Sequence, residues 1–211
     1  LYRLSGEQGY ALAQYNLGVM YKNGQGVPQD KKEAVKWYRL SAEQGEASAQ
    51  YNLGLMYFNR HGVPQDFKKT VKWWKLSAEQ GNTSAQSNLG MMYNIGKGVP
   101  QDFKEALRLY RLSAEQGHAS AQYNLGLMYA NRQGVPQDFK KTVKWWKLSA
   151  EQGHASAQYN LGLMYANGQG VPQDFKEAVK WWKLSAEQGF GNAQYDLGMM
   201  YYDGIGVPQD Y

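Results

Sequence analysis

Cysteine is absent from the 211 residues, which excludes a disulfide scaffold, cysteine-ligated zinc and thiol chemistry and fits either redox compartment. No apolar run is long enough to span a bilayer, and the first residues are not a basic-then-apolar leader. This stretch therefore carries neither a membrane span nor a signal peptide. Charge of one sign is scarce as well: 23 Lys and Arg face 18 Asp and Glu, for a net charge of +5. Both signs recur together instead of forming blocks, so a nucleic-acid partner is not expected. Proline is rare, and its placement is informative. Pro28, Pro64, Pro100, Pro136, Pro172 and Pro208 are the six prolines, each 36 residues from the next. Gly9 to Gly189, Ala13 to Ala193 and the Leu-Gly pairs from Leu17-Gly18 to Leu197-Gly198 keep the same interval.

A period of this length means stacked supersecondary units, each burying its apolar face on its neighbours. The expected organisation is a single array over 1-211, with partial repeats at 1-9 and 190-211 and full repeats at 10-45, 46-81, 82-117, 118-153 and 154-189. Leu1 to Ser5 align with the middle of the next unit, and the chain closes at Val207-Pro208-Gln209-Asp210-Tyr211, where every other unit begins a further helix. We expect a fragment of a longer protein whose targeting signals lie elsewhere, with a periplasmic, secreted or cytoplasmic setting all compatible. Asp66 to Gly81 repeats as Asp138 to Gly153, and His118 to Asn131 as His154 to Asn167. Such identity points to recent duplication or consensus engineering, and scattered differences such as Ser87 and Leu109 favour duplication in a natural, bacterial protein.

Each unit reads as two helices. In the first, Ala85, Leu89, Met92 and Tyr93 share one helical face, and Gly90 beside them lets a neighbouring helix approach. A glycine-rich turn follows. Where Arg60 and Arg132 replace its first glycine, the preceding Asn59 and Asn131 are expected to end the helix in the left-handed region. The second helix starts after Pro-Gln-Asp, with Asp30, Asp66, Asp102, Asp138 and Asp174 as N-caps. Glu33, Glu105 and Glu177 stand at capping-box spacing, a pattern broken by Lys69 and Lys141. Ala106, Leu109, Tyr110 and Ser113 form its inner face, and glycines such as Gly117 close it. No strand-like alternation is present, so the fold is expected to be all-α.

The pattern Ala-Gln-Tyr-Asn-Leu-Gly-x-Met-Tyr, Asn-Gly-x-Gly-Val-Pro-x-Asp, Ala-x-x-Trp-Trp and Ala-Glu-Gln-Gly, seen from Ala157 to Gly189, resembles the Sel1-like repeat, a relative of the tetratricopeptide repeat. The resemblance covers essentially the whole chain. It implies a right-handed superhelical solenoid of antiparallel helix pairs with the first helices on the concave side. It also implies an interaction adaptor of the kind found in bacterial envelopes, host contact and protein quality control. Some members of that family carry two cysteines per repeat, and this chain has none.

Catalytic and metal chemistry find no distinctive constellation. His118 and His154 hold equivalent positions in adjacent units, too far apart for one ion held by these rings alone, and read as solvent-exposed residues near helix starts. The Glu43, Glu79, Glu115, Glu151 and Glu187 ladder reads as a solvated face, because catalysis needs one unique arrangement and these groups recur. The glycine turns have no preceding strand and no Gly-Lys-Ser or Gly-Lys-Thr, so they are not phosphate loops. Aromatic pairs such as Trp73-Trp74 and Trp145-Trp146 are expected to fill the seam between units. The Lys and Arg columns at 36 and 39 and their equivalents belong to a solvated outer face. No catalytic residue, metal or cofactor is expected.

The remaining first-helix positions are the candidate binding surface: Tyr15, Asn16, Tyr51, Asn52, Leu55, Asn88, Met91, Tyr123, Asn124, Leu127, Tyr159, Asn160 and Leu163. In the tetratricopeptide resemblance these face the concave groove. An Asn amide donates and accepts at once, so the ladder suits an extended peptide backbone, with Ser87 opening a gap in the tyrosine row. The alternative is structural, with Asn bridging neighbouring helices and Tyr packing between units; both roles are compatible. The expected function is a non-enzymatic scaffold holding a protein or peptide. A second reading is a noncatalytic segment of a larger envelope or polysaccharide-handling protein that spaces domains or binds glycan. Self-association through uncapped terminal units is also expected.

Overall fold

The computed structural model describes residues 1–209, so the expectations that touch Asp210 and Tyr211 lie outside the described residues. Among the described residues the chain forms twelve helices and no strand. They group into two compact units, Leu1–Leu109 and Tyr110–Tyr211.

The first unit holds α1 (Tyr2–Glu7), α2 (Ala11–Asn23), α3 (Lys31–Glu43), α4 (Ala47–Phe58), α5 (Phe67–Glu79) and α6 (Thr83–Ile95), and α7 (Phe103–Glu115) crosses its boundary. In the second lie α8 (Ala119–Ala130), α9 (Phe139–Glu151), α10 (Ala155–Asn167), α11 (Phe175–Glu187) and α12 (Gly191–Asp203). Even-numbered helices are the first helices of the sequence units, and odd-numbered ones are the second, α1 having six residues.

Each pair is antiparallel, as its side-chain bonds reveal. Ser77 near the end of α5 donates its Oγ–H to the carbonyl of Ala47 at the start of α4, at 2.7 Å. Ser41, Ser149 and Ser185 do the same to Ala11, Ala119 and Ala155. These serines are buried, and the bond to the neighbouring helix supplies the partner that each buried hydroxyl needs.

The pair is locked by one close approach. A Cβ at Gly54 would collide with the Trp74 ring, and the same holds for Gly126 with Trp146 and Gly162 with Trp182. The missing side chain lets each indole lie on the first helix, where its Nε1–H donates to the carbonyl of Tyr51, Tyr123 or Tyr159 at 3.0 to 3.1 Å. Tyr38 takes this seat over Gly18, and its buried hydroxyl has no hydrogen-bond partner among the described residues.

Leucines of the first helices fill the core as their spacing requires: Leu53, Leu89, Leu125 and Leu161 are all buried. In the first unit Leu53 packs with Tyr38 and Met56, and Leu89 with Val71, Trp74 and Leu109. The second unit repeats this with Leu161, Trp146 and Trp181. Trp73 and Trp181, the other members of their aromatic pairs, are buried in these clusters too.

All five Asp N-caps form, each accepting backbone N–H groups of the first turn. The capping boxes do not close. The N–H that Glu33 would take, that of Asp30, donates to the Tyr21 carbonyl of the preceding helix, and the Asp102 and Asp174 amides likewise reach Tyr93 and Tyr165. The freed glutamates pair one turn along instead, Glu33 with Lys36, Glu105 with Arg108 and Glu177 with Lys180. Lys69 and Lys141 return to their own caps, Asp66 and Asp138, at 3.1 Å. There the Lys69 and Lys141 backbone amides, followed by their ammonium groups, hold both carboxylates below the usual range.

The turn expectation for the two arginine units is corrected. Asn59 and Asn131 keep negative φ, −94° and −102°. Arg60 and Arg132 themselves occupy the left-handed region, with φ 60° and 59°, at the place where Gly24, Gly96 and Gly168 close the other helices. A non-glycine residue there costs about 1 kcal/mol. Arg60→Gly and Arg132→Gly are therefore each expected to raise stability by about 1 kcal/mol, measured as an upward shift of the denaturation midpoint without a change in slope.

Candidate binding surface

The candidate residues lie on the first helices, and every one of them is half-buried. Three of the Tyr rings lean on the second-helix aromatic of their own pair, Tyr15 on Tyr38 at 6.0 Å, Tyr51 on Trp74 at 6.3 Å and Tyr123 on Trp146 at 6.2 Å between centroids, while Tyr159 meets Phe190 at 5.1 Å. Leu55 and Met91 pack beside the Trp74 cluster, Leu127 beside Trp146 and Leu163 beside Trp182.

The Asn ladder is divided among three situations. Asn88 donates its amide to the Tyr51 hydroxyl at 3.3 Å, and Asn160 donates to Tyr123 at 3.1 Å. In the last step the polarity reverses, and the Tyr159 hydroxyl donates to the Asp196 carboxylate at 3.0 Å. These links join residues 37 apart and bridge one first helix to the next. Asn52 turns back to the Ser48 carbonyl of its own helix. Asn16 and Asn124 make no side-chain hydrogen bond among the described residues. Ser87 is buried, so the gap in the tyrosine row is not itself an exposed opening.

The histidine expectation is corrected. His118 and His154 are half-buried N-caps of α8 and α10, not exposed residues, each accepting on Nδ1 the N–H of Ala121 or Ala157 at 3.3 Å. His154 also stacks on Tyr123 at 4.8 Å. Burial lowers both pKa values, and the cap needs Nδ1 unprotonated. The folded state thus favours the neutral ring. Stability should be complete above the unfolded value of about 6.5 and fall as pH drops through the lowered folded values. A pH series of denaturation midpoints should show this loss, and His118→Asn with His154→Asn, which keeps a capping oxygen, should remove it.

The second helices present the other face. The Lys and Arg columns, Lys36, Lys72, Arg108, Lys144, Lys180 and their companions from Arg39 to Lys183, are exposed, as is the glutamate ladder from Glu43 to Glu187. Several lysines lie over adjacent indoles, such as Lys72 over Trp73 at 5.2 Å, which ties part of the cationic stripe to structure.

Sequence reading missed a network of buried glutamines. Gln50 donates to the Ala42 carbonyl at 3.2 Å and accepts from Gln80 at 2.8 Å. Gln158 likewise donates to Ala150 and accepts from Gln188. One side chain thereby ties a first helix to the second helices on either side of it. The signal was available, since both glutamines recur in every full unit beside an Ala or a Gly.

The Sel1 repeat matches residues 11–46, 47–82, 83–118, 119–154, 155–190 and 191–211. Among solved structures, the chain resembles c5321, a protective antigen present in uropathogenic Escherichia coli strains that displays an SLR fold. The identity is 40% and the TM-score 0.93, over 99% of this chain and 45% of that one. The chain thus spans less than half the length of that antigen. A Sel1 repeat protein from Oxalobacter formigenes is 36% identical with a TM-score of 0.89, over 96% of this chain and 81% of that one. Immunity protein Pa5087 from Pseudomonas aeruginosa, at 23% identity and a TM-score of 0.55 over 88% of this chain and 71% of that one, shares the fold alone. No curated protein matches the sequence. Six consecutive matches to one repeat, spanning nearly all the sequence, settle the family: the chain belongs to the Sel1-repeat proteins.

Proposed function

We propose that this chain is a non-enzymatic scaffold that holds a protein or peptide segment along its first helices. Sel1-repeat proteins are generally noncatalytic interaction scaffolds, and the groove reading is the finer step taken for this member. The observation that carries it is the half-buried Tyr, Asn and Leu row, in which Asn124 and Asn16 keep unspent amides beside the apolar edges of Leu127 and Val19. Within the second unit an extended backbone laid along the row gains a hydrogen bond from Asn124 and apolar contact from Leu127 and Leu163, and the first unit offers the same from Asn16, Leu55 and Met91. Self-association belongs to the same reading, supported by exposed Tyr195, Met199 and Tyr202 on α12 and Leu1, Tyr2 and Leu4 at α1.

The test compares partner capture by the native chain with that of Asn88→Ala and Asn124→Ala. Asn124→Ala is expected to weaken capture by about 1 kcal/mol, roughly five-fold, with stability unchanged. Asn88→Ala should in addition lower stability by about 1 kcal/mol, because it breaks the link to Tyr51. Unchanged capture by the Asn124 variant at equal helicity would remove the groove assignment.

A further inference from the structure

The second unit has a hollow that the first unit fills. Phe58, at the end of α4, packs its ring on Phe67 at 5.7 Å and on Trp74 at 5.5 Å. The matching residue at the end of α10 is Ala166, and the matching floor is Phe175 and Trp182. Ala130 at the end of α8 carries the same methyl; beside Ala166 lies a cavity of about 410 Å³, walled also by Leu163 and Met199 and edged by Asp196. Its volume admits a Leu or Phe side chain together with part of the backbone that carries it. Its rim departs from the pattern too, since the first helices carry Asn at 16, 52, 88, 124 and 160 and a carboxylate only at Asp196. One oxygen of Asp196 accepts from Tyr159, which holds the group at the edge of the hollow and leaves its negative charge in place.

We propose that this hollow is a side-chain pocket for a peptide in which a Leu or Phe is flanked by an Arg or Lys. The apolar side chain enters over Phe175 and Trp182, and the neighbouring cation meets Asp196 at the rim. This rests on the groove reading and adds to it where in the second unit the segment is anchored and what charge it carries.

The experiment titrates end-capped nonapeptides, each with one central Leu in a Gly-Ser background and flanked by Arg or by Glu, into the whole chain labelled at methionine methyls. The Arg-flanked peptide is expected to shift Met199 and Met200 and to bind at least ten-fold tighter than the Glu-flanked one. Ala166→Phe, which restores the residue type of Phe58, should reduce that binding at least ten-fold while leaving the melting temperature unchanged or raised. Asp196→Asn, the residue type of the other units, should bring the preference between Arg and Glu flanks close to one. Binding that survives Ala166→Phe, or a flank preference that survives Asp196→Asn, would overturn the pocket. Shifts at Met91 in place of Met199 and Met200 would also overturn it while leaving the groove reading standing, whereas shifts at no first-helix methionine would count against both.

Discussion

Trp146→Ala is expected to cost about 4 kcal/mol, because it removes a buried indole and with it the hydrogen bond that its Nε1–H makes to the Tyr123 carbonyl at 3.0 Å. Gly126→Ala is expected to cost about 3 kcal/mol from the opposite side. A Cβ at 126 would press on the ring edge at Cδ1 and Nε1, and the ring cannot withdraw without breaking that hydrogen bond. The double variant gives the sharper result. With the indole gone, the new methyl meets open space and Ala exceeds Gly in helix propensity by about 1 kcal/mol. Gly126→Ala with Trp146→Ala should therefore be no less stable than Trp146→Ala alone, a reversal of sign readable from urea midpoints. Additive losses would show that the two residues do not form one lock.

The glutamine network should produce the next largest loss. Gln158 is 4% exposed, and Leu fits its volume but neither donates to Ala150 nor accepts from Gln188. Gln158→Leu is expected to cost about 2 kcal/mol. The Ala150 carbonyl keeps the N–H of Gly153 as a partner, which holds the penalty below that of a fully orphaned group. Amide hydrogen exchange should locate the damage, accelerating at the end of α9 and the start of α10 before the rest of the second unit. Uniform acceleration across that unit would mean the network stabilises it as a whole, not the junction.

Periodicity made the helix pairs, their caps and their apolar stripes legible, because each rests on local chemistry that a single unit contains. The Leu column and the Asp caps fall where a reading of one unit puts them. What was not legible depends on which of two groups wins a shared partner. Glu33 has the right spacing for a capping box, but the Tyr21 carbonyl of the preceding helix takes the Asp30 N–H. Asn59 tolerates positive φ better than Arg, yet the turn places its left-handed residue one position later, so Arg60 bears the strain. The candidate surface was legible as a column of residue types. Its division into bridging and other amides was not, since Asn88 reaches the Tyr51 hydroxyl while Asn52, with Tyr15 at the same distance before it, turns back to the Ser48 carbonyl of its own helix. The hollow at Ala166 was equally hidden, because its walls come from three packed helices and not from one column of residue types.

The central claim is that partners lie on the first helices and not on the charged face of the second. Site-specific photocrosslinking reads this directly, with a photoreactive phenylalanine placed at Leu127 or Leu163 on one face and at Lys144 or Lys180 on the other. The groove account predicts partner adducts from the first pair of positions and none above background from the second. Adducts confined to Lys144 and Lys180 would contradict it and move the binding surface to the outer helices.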